Sequence, residues 1–333
     1  MLMHPTSPPA FCATNDSTVD ASYGDIIIRS SDDVDFRVAK HILSKGSDVF
    51  NDMFALPSPP SDSDPMRPYN AGEVHIVPIT ESSAMVAQFL KTITSDPSTV
   101  AFRTMNDIRE FYLMGDKYVS DGAMQAAKKA LARRAQNSPL EVYVMACRLG
   151  LEAEARIAAK RSLSLPLASL KESSGEYTDD TMAPAFERLW AYYEQCSTAV
   201  AVVAHSEYWA IQDLKIFPVM MFDPRIPPPP SVFSTRPYCC TVPQTGSELH
   251  EYHVKSWYLP FLAKLSALLA VKPSGEDIGF SEWTALFPES VSQAKRCPDC
   301  GPHAFDLLRS YSKRALSRVE TLVNGIRVEY REI

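Results

Sequence analysis

The stretch that decides the fold is "GDIIIRSSDDVDFRVAKHILSKGSDVFNDMF", residues 24–54. Asp25 to Arg29 predicts a strand, and its unbroken Ile26, Ile27, Ile28 run suits a sheet covered on both faces. The acidic turn "SSDDVD" offers Ser and Asp side chains to nearby backbone groups, and Phe36 to Val38 returns as the second half of a hairpin. A short helix follows from Ala39 to Lys45 with Ile42 and Leu43 inward. Gly46 stops it, and Ser47 caps a second helix carrying Val49, Phe50, Met53 and Phe54. Two small helices on a small sheet make an α+β unit suited to meeting another protein, and no catalytic group is needed to explain the run.

Working outward, residues 1–21 are rich in Pro, Ser and Thr, lack apolar periodicity, and are expected to be a disordered tail. On the other side, "LPSPPSDSDPMRPYNAG" (56–72) can neither continue a helix nor donate to a ladder, so it reads as an exposed loop whose Ser residues are phosphorylation candidates. "EVHIVPI" then adds a third strand, with Pro78 marking an edge. Thr80 is expected to cap a helix with Val86, Phe89, Leu90 and Ile93 on one stripe, and further helices are expected over Met105–Gly115 and Asp121–Arg134. Ser138, Pro139 and Glu141 form a helix-start signature for a helix ending at Leu149, and Glu152–Leu163 would pair with it as a helical hairpin.

The domains expected from this pass are the tail, an α+β domain over 22–136, a helical-hairpin extension over 137–170, and a mostly helical domain over 171–333 interrupted by a Pro-rich break at 223–237. In that last domain three apolar stripes stand out. They are Phe186, Leu189, Trp190, Tyr193 and Val200; Trp257, Phe261, Leu265 and Leu268; and Phe305, Leu308, Leu316, Val319, Leu322 and Ile326.

Composition narrows the function classes. A net charge of −7 argues against grip on a phosphate backbone, which needs clustered Lys and Arg, so no nucleic-acid partner is expected. The N-terminus lacks a basic start followed by an apolar core, and the longest apolar run, Leu259 to Val271, contains Lys264 and falls short of the roughly 20 residues that span a bilayer. No membrane association is expected. Seven cysteines fit a reducing cytoplasmic or nuclear setting better than a disulfide framework.

The order strand, strand, helix, helix, proline loop, strand, helix, helix resembles the BTB (POZ) domain. Asp25, Phe36, Lys40, Leu43, Ser47, Phe50, Met53 and Phe54 match that family's opening pattern, and Met114, Asp116, Lys117 and Tyr118 match its later Asp-Lys-Tyr segment. Ala39 stands where the family usually has His. The resemblance covers residues 23–136, and 139–163 look like the helix pair that often follows; beyond residue 170 it extends only to fungal BTB proteins with a helical tail. It implies a non-catalytic, homodimerising scaffold or adaptor, with Asp25 and Lys40 placed for a charged pocket near the interface and Phe50, Met53 and Phe54 as interaction residues. It also implies a narrower role as substrate adaptor for a cullin-type ubiquitin ligase. Physics points the same way, since one helical layer on a small sheet leaves apolar surface that a two-fold partner can hide.

The sharpest local chemistry is "RCPDCGPHAF", with Cys297 and Cys300 separated by two residues. Tetrahedral zinc needs four thiolate or imidazole ligands, and this knuckle supplies two. Cys239 or Cys240 with His250 or His253 could supply the rest, and Cys240, His250, Cys297 and Cys300 are the candidate set for a structural zinc. The competing readings are thiols near a helix start or a redox pair, the latter without the flanking strand and helix it requires. "HEYH" spaces its histidines three apart rather than four, and neither a Gly-rich phosphate loop nor a Gly-x-Ser-x-Gly elbow occurs, so no enzymatic activity is expected. The alternative to the adaptor is a zinc-organised structural or enzymatic C-terminal domain, with the N-terminal domain serving only oligomerisation.

Overall fold

A computed structural model describes residues 12–14, 24–56, 75–94, 100–177, 182–205, 219–221, 240–245, 251–274 and 280–330. The chain divides into two compact units, Met1–Arg134 and Ala135–Ile333. The 137–170 hairpin therefore groups with the C-terminal unit.

The N-terminal unit has an α+β fold. Its sheet holds β1 (Cys12–Thr14), β2 (Ile26–Arg29), β3 (Asp35–Val38) and β4 (His75–Pro78) in the order β1-β3-β2-β4. The hairpin pairs Ile26 with Val38 and Ile28 with Phe36, while β4 joins β2 in parallel, Ile26 opposite His75. β1, within the 1–21 segment, pairs with β3, and the rest of that segment lies outside the described residues. Burial along β2 alternates: Ile26 and Ile28 are buried and Ile27 is half-buried, so the two faces are not equally covered.

The turn between β2 and β3 is a closed polar knot. The Ser30 hydroxyl is bonded to both the N–H and the carbonyl of Val34, and Asp33 takes a left-handed backbone at φ 60°, which short polar side chains tolerate. Arg29 and Asp35 form a bidentate pair at 2.7 and 2.8 Å across it. Asp32 reaches away, accepting from the backbone N–H of Ser83 at 2.7 Å and from its hydroxyl at 2.6 Å. That carboxylate serves the start of α3 (Ser83–Thr94), so the helix begins three residues after Thr80 and is capped from the turn.

Two short helices, α1 (Lys40–Gly46) and α2 (Asp48–Ala55), meet at Ser47, whose hydroxyl accepts from the Phe50 N–H as the sequence suggests and also donates to the Tyr118 carbonyl. α4 (Met105–Lys117) and α5 (Asp121–Arg134) complete the unit. α4 opens on a reciprocal capping box between Thr104 and Asp107. No such box forms at Ser138, whose side chain makes no cap bond, although Pro139 does occupy the first helical position.

The C-terminal unit begins with the antiparallel pair α6 (Pro139–Arg148) and α7 (Glu152–Ser162), then α8 (Leu167–Ser174) and α9 (Ala183–His205). It is not wholly helical. β5 (Val219–Met221), β6 (Thr241–Thr245) and β7 (Glu251–Lys255) form an antiparallel sheet ordered β5-β7-β6. Then come α10 (Leu259–Val271), α11 (Phe280–Ala285), α12 (Pro288–Ala294) and α13 (Ala304–Gly325). Tyr258, Phe261, Phe287 and Tyr311 form an aromatic cluster with ring centroids 5.3 to 5.7 Å apart, largely edge to face. Among the described residues no helix is long and apolar enough to cross a membrane. The Pro-rich segments at 57–74 and 223–237 lie outside the described residues.

Candidate metal centre

The knuckle forms where α12 ends. The Cys297 N–H donates to the Ala294 carbonyl at 3.0 Å, Gly301 N–H to the Cys297 carbonyl at 2.9 Å, and Ala304 N–H to the Cys300 carbonyl at 3.0 Å. These turns carry the chain directly from Cys297 through Cys300 into α13. Space favours glycine at Gly301: a Cβ there would stand 3.2 Å from both the Cys297 oxygen and the Lys295 Cα. Cys300 is buried just before α13.

Cys240 arrives from distant sequence. It precedes β6 in a left-handed conformation, φ 56°, and its carbonyl accepts from the Ser256 N–H at 2.7 Å, which ties it to the end of β7. The sulfurs of Cys240, Cys297 and Cys300 all lie within 4.8 Å of one another, and none is disulfide-bonded. Three cysteines therefore converge where they could bind a metal. Zinc at about 2.3 Å from each sulfur in tetrahedral geometry separates the sulfurs by roughly 3.8 Å, a separation that falls inside the 4.8 Å bound. Cys240 is exposed, Cys297 half-buried and Cys300 buried. The fourth candidate, His250, lies outside the described residues, as does Cys239.

The remaining described thiols have a different character. Cys147 and Cys196 are buried beside Tyr143 and Tyr192, and burial pushes both thiols up, Cys196 to about 11. Protonated and tucked into helix packing, they behave as core residues rather than ligands.

The interaction residues of the N-terminal unit are partly redistributed. Asp25 does not pair with the Lys40 ammonium; its carboxylate accepts from the Lys40 backbone N–H at 2.6 Å, securing the start of α1, while the ammonium sits 5.9 Å from the Phe54 ring centroid. Phe50 is core, 3% exposed and stacked on Tyr118 at 5.0 Å. Met53 and Phe54 are half-buried. Val49 on α2 and Leu56 just past its end, neither singled out as an interaction residue from the sequence, are 38% and 70% exposed.

The matching Asp-Lys-Tyr segment has a structural role. Lys117 and Tyr118 converge on Glu81, at 2.7 and 2.9 Å, and Lys117 also reaches the Thr80 hydroxyl. Burial works to raise the Glu81 carboxyl, but these hydrogen bonds overcome it and hold the group below its usual range. The cluster ties the end of α4 to the segment before α3. No protein-family model and no curated protein matches this chain.

Proposed function

We propose that the chain is a non-catalytic protein–protein interaction protein of BTB (POZ) type that self-associates through its N-terminal unit. One observation carries the reading: Val49 on α2 and Leu56 just past its end are exposed, with half-buried Met53 between them, while the neighbouring Phe50 is already buried. Apolar surface left over beside a filled core asks for a further neighbour, and a second copy offers the same patch across a two-fold axis. A stable dimer needs about 800 Å² from each partner, more than one short helix supplies, so adjoining surface takes part. β4, which ends the sheet among the described residues and leaves Ile76 42% exposed, is available for it. Within this reading, recruitment to a cullin-type ligase scaffold is the narrower role. The test is light scattering coupled to size-exclusion chromatography on the full chain: a dimer is expected, and Met53→Glu with Leu56→Glu should give a folded monomer. A wild-type monomer at high micromolar concentration would refute the proposal.

A second reading concerns the C-terminal unit and is favoured by the sulfur geometry. Cys240, Cys297 and Cys300 hold a structural zinc, with the fourth ligand drawn from the candidate set that includes His250. The ion clips the start of β6 onto the turn between α12 and α13, a link between residues almost sixty positions apart. If this organises a domain with its own activity, the N-terminal unit serves oligomerisation alone, and an activity surviving in the α2 monomer would separate the two readings.

A further inference from the structure

Resting on the zinc reading of the three-cysteine cluster, we infer that Cys240 is a site of oxidative modification by hydrogen peroxide, and that its oxidation expels the metal. A zinc-bound cysteine is a thiolate, and thiolate character with solvent access governs attack on peroxide. The three sulfurs differ sharply in access: Cys240 is exposed, Cys297 half-buried, Cys300 only 6% exposed. An oxidant arriving from solvent therefore meets Cys240 first.

The chemistry completes within the site. The Cys240 thiolate attacks the peroxide O–O bond, forming a sulfenic acid and releasing hydroxide. The Cys297 thiolate, within 4.8 Å, then attacks that sulfur, the S–O bond breaks, a second hydroxide departs and an S–S bond forms. Two electrons pass from the sulfurs to the hydrogen peroxide, which ends as water once two protons are taken up. Zinc is left with one of these three thiolates and dissociates. Cys297 resolves in preference to Cys300 because, half-buried, it has more room to move towards the exposed Cys240 than the buried Cys300 has.

The experiment uses the full chain loaded with zinc, with metal measured by plasma mass spectrometry before treatment. Hydrogen peroxide is added while a chromogenic chelator reads released zinc, and peptide mass spectrometry with dimedone trapping locates each oxidised sulfur. Expected are loss of the bound zinc, a Cys240–Cys297 linked peptide, unmodified Cys147 and Cys196, and recovery with dithiothreitol and added zinc. In Cys297→Ser, a dimedone adduct should accumulate at Cys240. Release with Cys240 intact, oxidation at Cys239 instead, or oxidation of Cys147 and Cys196 in step with release would overturn the inference. A chain that takes up no zinc fails the zinc reading and the release with it; a zinc-loaded chain that keeps metal and thiols under peroxide fails this inference alone.

Discussion

Asp32 is one of three acidic residues in the hairpin turn, and nothing in the letters "SSDDVD" separates it from Asp33 or Asp35. In space the three diverge, since Asp33 takes the left-handed position, Asp35 grips Arg29, and Asp32 caps α3 from fifty-one positions away. The Ser83 and Ser30 side chains and the Ser83 N–H hold the Asp32 carboxyl down at about 2. A depressed carboxylate stabilises the fold above its ordinary value of 3.8, and the contribution is lost as pH falls through about 2. Asp32→Asn should lower the melting temperature at neutral pH, and the gap from wild type should close on acidification towards pH 2; a gap independent of pH would contradict the assignment. Ser47 is more deeply committed, since its buried hydroxyl serves both the Phe50 N–H and the Tyr118 carbonyl. Ser47→Ala strands both, and chemical denaturation should show a loss of about 1–3 kcal/mol. Gly46 belongs to the same junction. It is the last residue of α1 rather than a left-handed stop, and glycine is required by space, because a Cβ there would collide with the Ile93 side chain on α3.

At the scale of elements, periodicity identifies helices better than it locates their buried face. The apolar letters of α13 predict burial of Phe305, Leu316, Leu322 and Ile326 along with Leu308 and Val319. The buried line is instead Leu308, Tyr311, Ala315, Val319 and Val323, and Phe305 is 46% exposed. Small or part-polar residues such as Ala315 and Tyr311 are poor markers of burial in a linear pattern, yet Tyr311 suits the core once its hydroxyl reaches the Val203 carbonyl at 2.8 Å. The second sheet escapes a reading of the sequence because its strands are short and separated by long polar or Pro-rich stretches, with β6 itself containing Pro243. That sheet gives the cysteines their geometry, since β6 pairs with β7 with Thr241 opposite Lys255 and so anchors Cys240. Under the zinc reading, metal removal should loosen these elements selectively. Elemental analysis is expected to find one zinc per chain, Cys300→Ser should lose it, and chelation should lower amide-exchange protection in β6, β7 and the start of α13 while α1 to α5 keep theirs. Unchanged protection throughout would show that no metal supports this region.

For the whole molecule, the two units carry different kinds of information. The N-terminal unit is locally consistent: capping, hairpin and short helices follow each other within a few residues, and the apolar patch at α2 is what remains once its core is filled. If that patch joins two copies, dimerisation stabilises the folded state by mass action. The melting temperature of the wild type should then rise with protein concentration, whereas the doubly charged α2 variant should melt at a concentration-independent temperature. The same behaviour in both proteins would count against the interface. The C-terminal unit relies on contacts across long separations, from Tyr193, whose hydroxyl lies 2.6 Å from the Val271 carbonyl oxygen, to the cluster drawn from residues 240 and 297–300.

By itself, the sequence determined the α+β start, the helical hairpin at α6 and α7, most helix positions and the knuckle at Cys297 and Cys300, because each depends on neighbours within one turn or one strand pair. Only the tertiary structure decided that Asp32 caps α3, that Phe50 is core while Val49 and Leu56 face out, and that Cys240 meets the knuckle. Those outcomes depend on which distant surfaces come into register, and a linear pattern carries the chemistry of a side chain without the direction in which the folded backbone points it.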